Sequence, residues 1–458
     1  MPVTCMIFLA GFAFCMAGAL VTPFLGVVGY FGHYLVGPER QWWTQGIRHW
    51  GIRYSFGLAA VTAVGSLVHY NKLRFGKRMF LRHEKLVLLF LGIVFLSVFM
   101  GEQTVGRYED APIPVDHPSI KLAKVVIFMM MVTHIVTDFK KLDRMLWVLV
   151  LGTMFLGYEA YQLPQSSFAR GRLEGVGGPD FTETNGFASF CAAMLPIIAI
   201  QFLRSRWLGK TVCAIAVALT MNSIILTRSR TGMVGVFFSG VMALMLAPKR
   251  HRAKVGAALA VGAVGGFYLT DSGFLERMST ISESEENRDA SAQSRLVVWK
   301  AAGRMIVDHP LGVGAGNFYQ TIGRYNPALK GIDAHNTYVR CTSELGFQGL
   351  AVFLAVIIGA FRTLRRAIRE TPRDLGDEAR HLELLPYGMV VSIAAVLAAS
   401  LTCSFTYNEF LWLFLMLPVC WMRCVANHQA DKKLAPAPEP AAREADRALF
   451  RPRRKPVV

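Results

Sequence analysis

Long, nearly continuous apolar runs dominate the hydrophobic pattern of this chain. A helix needs about 20 apolar residues to cross the hydrocarbon layer of a bilayer, and runs of roughly that size, bounded by charges or by Gly and Pro, recur along the sequence. Such runs are too long for the strands of a membrane barrel. We therefore predict an all-α polytopic membrane protein with about twelve transmembrane helices. The predicted spans lie near residues 5–28, 54–70, 86–101, 119–137, 145–161, 186–202, 211–226, 232–247, 254–270, 346–361, 385–402 and 408–422.

One connecting segment, 271–345, is far longer than a connector needs to be, and loops of such length are usually functional. Within it, residues 291–307 carry apolar side chains at helical spacing and predict an amphipathic helix that lies on the membrane or covers a cavity. The Gly-rich sequence LGVGAGN at 311–317 follows and indicates a tight turn close to the membrane. The apolar positions of the predicted helix are Leu296, Val297, Trp299, Ala302, Met305 and Ile306.

The same pattern divides the chain into three parts. Residues 1–185 hold the first five spans, and residues 186–422 hold the remaining helices together with the long loop. The tail 423–458 contains APAPEP and RPRRKPVV, so we expect a disordered basic segment that is attracted to anionic lipid or is simply solvated.

Composition supports the membrane class, and the position of the charges orients it. Hydrophobic residues make up 53% of the chain and charged residues 17%, while the net charge is +18. A basic excess of this size can indicate nucleic-acid binding. Here, however, 31 of the 49 Lys and Arg residues fall in six alternate connecting segments, counting the tail. By the positive-inside rule these segments are cytoplasmic. We expect no nucleic-acid partner, both termini in the cytoplasm and the 271–345 loop on the outer face.

Two arginines on the outer face first suggest chemistry. The sequence TRSRTG at 227–232 places Arg228 and Arg230 between two spans, on the side where positive charge is disfavoured. A guanidinium group matches the oxygens of a phosphate, so these residues indicate either a phosphate clamp or an anchor to lipid headgroups. Arg295 lies in the predicted amphipathic helix and is open to the same two interpretations, because an isolated arginine there can reach the interface alone.

A histidine in the sequence AHNTY is the third candidate. The imidazole of His335 can accept a proton near neutral pH, and Asn336, Tyr338 and Glu344 could orient it or bind substrate. The alternative is a histidine with a structural role. A second pair, His134 and Asp138, lies toward the cytoplasmic end of a span, and we interpret it as structural.

Known catalytic signatures are absent from the sequence. It contains no P-loop, DxD, HExxH or GxSxG motif. An enzyme that acts on the outer face without metal or nucleotide motifs needs a substrate that arrives already activated. A glycan linked to a polyprenyl diphosphate meets this requirement.

Three motifs, taken in order, resemble those of the O-antigen ligase and O-antigen polymerase superfamily of membrane proteins. They are TRSRTG, SRLVVWKAAGRMIVDHPLGVGAGNFY in the long loop, and HNTYVRCTSELGFQGL before the next span. The resemblance covers roughly residues 186–422. Within the superfamily, the chain looks most like the O-glycosylation ligases found beside exosortase systems.

The resemblance implies a glycosyltransferase without metal or cofactor, in the bacterial inner membrane with a periplasmic active site. Such enzymes of cell-surface polysaccharide synthesis, including lipopolysaccharide and exopolysaccharide, transfer a glycan from undecaprenyl diphosphate to an acceptor hydroxyl. The family's paired arginines match Arg230 and Arg295, its essential histidine matches His335, and Arg228 lies beside the pattern. As a hypothesis, the arginines neutralise the diphosphate leaving group. His335 deprotonates or orients the acceptor hydroxyl, with inversion at the anomeric carbon.

The sequence leaves the partners of this chemistry open. The acceptor is lipid A core, a growing lipid-linked glycan or a protein side chain. Asp180, Glu183 and Asn185 either contribute to acceptor choice or belong to a solvated loop. A transporter or flippase of lipid-linked glycans is the alternative from another class, although no internal repeat supports it, and a non-catalytic membrane scaffold is a third.

Overall fold

A computed structural model describes residues 1–74, 79–101, 117–169, 171–270, 274–275, 290–371 and 382–434. These residues form a bundle of helices with one two-stranded antiparallel hairpin on its outer side, β1 (Phe168–Ala169) and β2 (Arg172–Leu173). The helices are α1 (Val3–Val21), α2 (Pro23–Val36), α3 (Tyr54–Val68), α4 (Arg82–Met100), α5 (Pro118–Ile135), α6 (Phe139–Gln162), α7 (Thr184–Arg204), α8 (Trp207–Leu226), α9 (Arg230–Leu246), α10 (Arg252–Leu269), α11 (Ala290–Asp308), α12 (Phe318–Tyr325), α13 (Thr337–Glu370), α14 (Leu385–Ala399) and α15 (Glu409–Leu434).

The all-α membrane architecture is confirmed. Each predicted span from 54–70 onward coincides with one helix of the bundle. Among the described residues, seven helices are long and apolar enough to cross a membrane, or up to eight when the bent pair Trp42–Trp50 and Tyr54–Val68 is counted as one span. The count of twelve crossings stays a prediction.

The first predicted span, 5–28, is instead two antiparallel helices. Pro23 has no N–H group to continue α1, and Thr22 before it takes an extended conformation, as residues before proline usually do. The chain therefore reverses at this point, and Gly29 of α2 lies against Cys15 of α1 while Gly26 lies against Ala19. The lack of a side chain at these glycines allows the two helices to approach closely.

This hairpin changes the position of the N-terminus. Phe8 of α1 packs at 5.4 Å from both Trp43 and Tyr54, at the start of α3, and His69 beyond the end of α3 bonds to the carbonyl of Leu20. Helices α1 and α3 are therefore parallel. Because Asn427 bonds to Arg74 at the far end of α3, the described ends Met1 and Leu434 lie on opposite faces. The prediction that both termini lie on the same side of the membrane does not agree with this packing.

Two groups of helices share one hydrophobic core. Helices α7, α8, α9 and α14 pack against each other, and α4, α5, α13 and α15 form the second group, with Phe90, Phe353 and Trp412 in contact at its centre. Helix α15 is buried along most of its length, whereas α10 buries none of its described side chains. The bundle thus has a central helix, α15, and a peripheral one, α10, whose apolar surface is available to lipid.

The Gly-rich turn braces a break in α13. Gly346 has φ 71°, which separates a short outer helix from the long inner one. The break leaves carbonyls of Ser343 and Glu344 without helical partners, and the N–H groups of Val313 and Gly314 donate to them at 2.9 Å. Gly312, Gly314 and Gly316 all have positive φ, so the tight turn expected at 311–317 is confirmed.

One boundary and one helix face differ from the sequence prediction. The tail does not begin at residue 423, because α15 continues to Leu434 and buries Arg423 and Cys424; the rest of the predicted tail, 435–458, lies outside the described residues. The amphipathic helix forms as α11, but its buried face is shifted. Leu296 and Val297 are exposed, and the side chains that pack against the 318–334 segment are Val298, Ala301, Ala302 and Met305.

Candidate functional site

A short loop between α14 and α15 holds the outer ends of several helices together. We call residues 400–408 the hub loop. Thr337 donates its N–H to the carbonyl of Ser400 and its hydroxyl to that of Cys403, and the Thr402 hydroxyl bonds to Thr231 of α9 at 2.9 Å. The start of α13 and the start of α9 are therefore fixed to the same nine residues. This arrangement brings the TRSRTG and HNTY sequences, more than 100 residues apart in the chain, to one outer region.

His335 occupies a strained and supported position at the start of α13. Its φ is 46°, in the left-handed region that costs a residue with a side chain about 1–2 kcal/mol. Its N–H donates to the Asp333 carboxylate at 3.0 Å, and its Nδ1 lies 3.6 Å from the same carboxylate. About a third of the imidazole, 35%, is exposed. The ring is thus oriented on one side and open on the other.

Asp333 is held in turn by Arg340, one turn into α13. The Arg340 guanidinium contacts Asp333 at 3.3 Å and Glu344 at 3.1 Å, and it lies over the ring of Tyr319. Burial acts to raise the pKa of Asp333, but Arg340, His335 and the Ser404 hydroxyl outweigh it and lower the pKa below its ordinary value. Asp333 therefore remains an anion on the Nδ1 side of the His335 imidazole.

The TRSRTG turn carries the second strained residue of the region. Arg228 has φ 46°, and Ser229 caps α9 by accepting the N–H of Gly232. Asn185 braces this cap, because its side-chain oxygen accepts both the Ser229 hydroxyl and the Arg172 guanidinium at 2.8 Å. Arg172 also donates to the carbonyl of Thr227 at 3.3 Å. We call residues 171–185, which comprise the second strand of the hairpin and the segment after it, the strap. The strap thus fixes the turn that presents Arg228 and Arg230.

Helix α11 brings Arg295 to the same region. The indole of Trp299 donates to the carbonyl of Ala334, directly before His335, at 2.8 Å. Arg295 lies one helical turn before Trp299 and is close enough to Cys403 of the hub loop to influence it electrostatically. Burial first, and then Glu183 and Asp333, raise the pKa of the Cys403 thiol, with Arg295 acting in the opposite direction. Cys403 is therefore a neutral packing group and not a nucleophile.

Glu183 completes the set of charged residues. Its Oε1 atom lies 3.9 Å from the Cys403 sulfur and 3.5 Å from the Asn185 amide nitrogen. Solvent reaches the side chain, yet surrounding protein displaces much of its water. This desolvation, followed by the negative charge of Asp333, raises the pKa of Glu183. Glu183 is thus a carboxylate that faces the same space as His335.

Three of the residues predicted to bind substrate make contacts within the protein instead. Asn336 caps α13 through its oxygen, and its nitrogen bonds to the carbonyl of Leu401. Tyr338 reaches the carbonyl of Leu397 in α14. Glu344 is fully buried between Arg340 and Tyr407. These contacts engage polar atoms of Asn336, Tyr338 and Glu344 within the protein and favour a supporting role. Direct contact of the three residues with substrate stays a prediction.

The three strap residues Asp180, Glu183 and Asn185 lie in different surroundings. Asp180 belongs to a separate buried cluster, where Tyr34 and the Lys121 ammonium contact its carboxylate at 3.0 and 2.7 Å. Asn185 braces the TRSRTG turn. Only Glu183 of the three faces His335, so neither the acceptor interpretation nor the solvated-loop interpretation fits all of them.

Several residues of the site were missed from the sequence. Asp333 and Arg340 flank His335 at two and five positions, a spacing that could have suggested an ion pair around it. Arg172 lies on a two-residue strand and Cys403 in a short polar connector, and neither has a sequence pattern that marks it. The supporting residues therefore became visible only when distant segments were brought together.

The inner pair His134 and Asp138 has a different arrangement from the predicted one. His134 lies 3.8 Å from Glu84 and bonds to the carbonyl of Met79, whereas Asp138 caps α6 through the N–H of Lys141. The structural interpretation of His134 agrees with these contacts, but its carboxylate partner is Glu84.

One protein-family model matches part of the chain. The sequence model of the O-Antigen ligase family matches residues 214–354, which include Arg228, Arg230, Arg295 and His335. No curated protein matches the chain. The strap and the hub loop lie outside the matched segment, so the site draws on parts of the chain that the family model does not cover. The match confirms, over residues 214–354, the resemblance to the O-antigen ligase superfamily that the three motifs predict.

Proposed function

We propose that this protein is a membrane glycosyltransferase that transfers a glycan from an undecaprenyl diphosphate carrier to an acceptor hydroxyl on the periplasmic face. The activity is that of an O-antigen ligase, with a polysaccharide polymerase or a protein O-glycosylation ligase as variants that differ in the acceptor. The donor is a lipid-linked oligosaccharide in the inner membrane. The reaction requires no metal or cofactor.

The observation that carries the proposal is the location of backbone strain. Among the described residues, Arg228 and His335 are the non-glycine residues with positive φ, and both lie in this one outer region. Strained residues persist where the surrounding structure holds them, and they cluster at active sites. Here the strap holds the first and the Asp333–Arg340 pair supports the second. The two strained residues belong to the two motifs that the resemblance connects with catalysis.

The charges support a division of roles. Arg228, Arg230 and Arg295 come from the TRSRTG turn and from α11, and guanidinium groups stabilise the negative charge that develops on a departing diphosphate. His335, with Asp333 on its Nδ1 side, acts as the general base through Nε2. The acceptor hydroxyl then attacks the anomeric carbon from the side opposite the diphosphate, which predicts inversion.

A transport function is less well supported. Transporters place charged residues near the middle of the membrane, whereas the buried Glu84–Arg423 pair lies toward the cytoplasmic end of the bundle. That pair also bonds to the carbonyl of Met79, so it connects helices instead of lining a path.

The test combines genetics with purified protein. Deletion of the gene is expected to leave an unmodified acceptor in the lipid, polysaccharide or glycoprotein fraction, and the affected fraction identifies the acceptor. Purified protein in detergent is then given undecaprenyl diphosphate-linked glycan from the same cells and the acceptor fraction from the deletion strain. Attachment of the glycan supports the proposal. No transfer in detergent, together with movement of the lipid-linked glycan across vesicles, would support the flippase instead.

A further inference from the structure

The charged side chains around His335 differ in how many hydrogen bonds and ion pairs they form with other groups of the protein. Asp333 contacts Arg340, the N–H of His335 and the Ser404 hydroxyl. Glu344 is likewise engaged by Arg340 and Tyr407, which donate to its two carboxylate oxygens. Both carboxylates are therefore engaged within the chain, and Glu344 is in addition sealed from solvent.

Glu183 is the exception in this part of the structure. Its contacts to Cys403 and Asn185 both involve Oε1 and are long, at 3.9 and 3.5 Å. Within the described part of the chain, Oε2 has no hydrogen-bond partner, and solvent reaches the side chain. His335 shows the same asymmetry, because Nδ1 faces Asp333 while the imidazole remains partly exposed. Two groups at this site thus retain unused hydrogen-bonding capacity.

The sign of the charge determines which part of the substrates Glu183 can contact. A carboxylate repels a diphosphate, so Glu183 cannot belong to the leaving-group side that Arg230 and Arg295 serve. Its acceptor oxygens suit a hydroxyl donor. In a displacement with inversion, the attacking hydroxyl approaches opposite the diphosphate, on the side where His335 acts.

We propose that Glu183 binds the acceptor by accepting a hydrogen bond from a hydroxyl group next to the one that His335 deprotonates. This proposal rests on the glycosyltransferase function proposed above. It assigns acceptor recognition to the strap, which lies outside the segment that matches the family model. The ligand class is a polyhydroxylated acceptor, such as a sugar, rather than an isolated hydroxyl on an apolar chain.

The test is Glu183→Gln, with Glu174→Gln as the matched control. Glu174 is an exposed carboxylate of the same strap, and its contact is with the hydroxyl of Thr184. The amide in Glu183→Gln keeps the size of the side chain but loses the charge. We expect the KM for the acceptor fraction from the deletion strain to rise about tenfold or more, the usual effect of losing a hydrogen bond to a charged group. Glu174→Gln should remain within about twofold of wild type.

A second readout separates acceptor binding from a general structural effect. Binding of undecaprenyl diphosphate, used alone as a probe in detergent, should be unchanged or slightly tighter in Glu183→Gln, since a negative charge has been removed. An unchanged acceptor KM, or a raised donor KM with weaker binding of the probe, would overturn the proposal. These outcomes require a wild-type enzyme that transfers glycan. Absence of transfer by wild type would contradict the proposed function itself and is thus a distinct result.

Discussion

Two clusters of the same residue types lie at opposite ends of the helical bundle. The inner cluster comprises Glu84, His134 and Arg423, all nearly fully buried, at 0, 8 and 3% exposure. Its atoms are engaged by Met79, Met130 and Thr133 in addition to each other. The outer cluster also combines a histidine, carboxylates and an arginine, but His335 is partly exposed and Glu183 is reached by solvent.

The comparison shows that residue type alone does not distinguish the proposed active site from a structural cluster. The inner ion pair connects α4 to α15 and is sealed from water, so its role is to fix helices. The outer cluster has a sealed layer, Arg340 with Glu344, beneath an open layer of His335 and Glu183. Open hydrogen-bonding capacity over a rigid support is what a site that binds and turns over a substrate requires.

Replacement of Arg340 by Met is expected to have the largest effect, because it affects both layers. The buried Glu344 and the partly buried Asp333 lose their cation, which costs about 3–5 kcal/mol for a buried pair. Asp333 also loses the contact that positions it beside His335. We expect a lower midpoint of thermal unfolding in detergent and a loss of transfer per folded molecule. Full transfer by the folded fraction would contradict the support role of Arg340.

Replacement of Arg423 by Met is the matching change at the inner cluster. It leaves Glu84 buried without its ion-pair partner, so the loss of stability should again be about 3–5 kcal/mol. The outer layer is unaffected, and transfer per folded molecule should therefore equal that of wild type. A specific loss of transfer without a change in thermal stability would mean that the inner cluster takes part in function.

Replacement of Arg230 by Lys probes the open side of the outer cluster with a smaller expected effect. Lysine keeps the charge but loses the planar fork that holds two phosphate oxygens. We expect about a tenfold weaker affinity for undecaprenyl diphosphate, measured by titration in detergent. Arg206→Lys, an exposed arginine on the opposite face, is the control and should bind normally. Normal binding by both variants would argue against a bidentate contact.

Replacement of Asn336 by Ala is expected to have the smallest effect. It removes the cap of α13, which typically costs about 1 kcal/mol. Because the Asn336 amide is engaged by backbone groups and not by substrate, the KM values for donor and acceptor should change by less than about threefold. A large rise in either KM, measured at a temperature where the variant is folded, would restore the substrate-binding role predicted from the sequence.

The sequence predicted most helices because their apolar runs are long and bounded by charge. It missed the reversal at Thr22–Pro23, since hydropathy alone does not show where a continuous apolar run breaks, although the proline was a usable sign. It placed the start of the inner part of α13 correctly at residue 346, because a new apolar run begins there.

The site was predictable in its motifs and not in its support. Arg228, Arg230, Arg295 and His335 stand out because charge on the outer face is unexpected. The hub loop has no distinguishing pattern, and its role depends on contacts to Thr231 and Thr337 that are far away in sequence. Hydrogen bonds of that kind follow from the tertiary arrangement, which periodicity does not encode.

The most direct test of the central claim compares two histidines in one assay. Purified His335→Ala and His134→Ala are given undecaprenyl diphosphate-linked glycan and the acceptor fraction, and initial rates are divided by the folded fraction of each protein. Loss of a general base reduces a rate by about 10²–10⁴-fold. We predict that loss for His335→Ala with thermal stability near that of wild type, and a wild-type rate per folded molecule with reduced stability for His134→Ala. A wild-type rate for His335→Ala would contradict the assignment of the outer cluster as the active site.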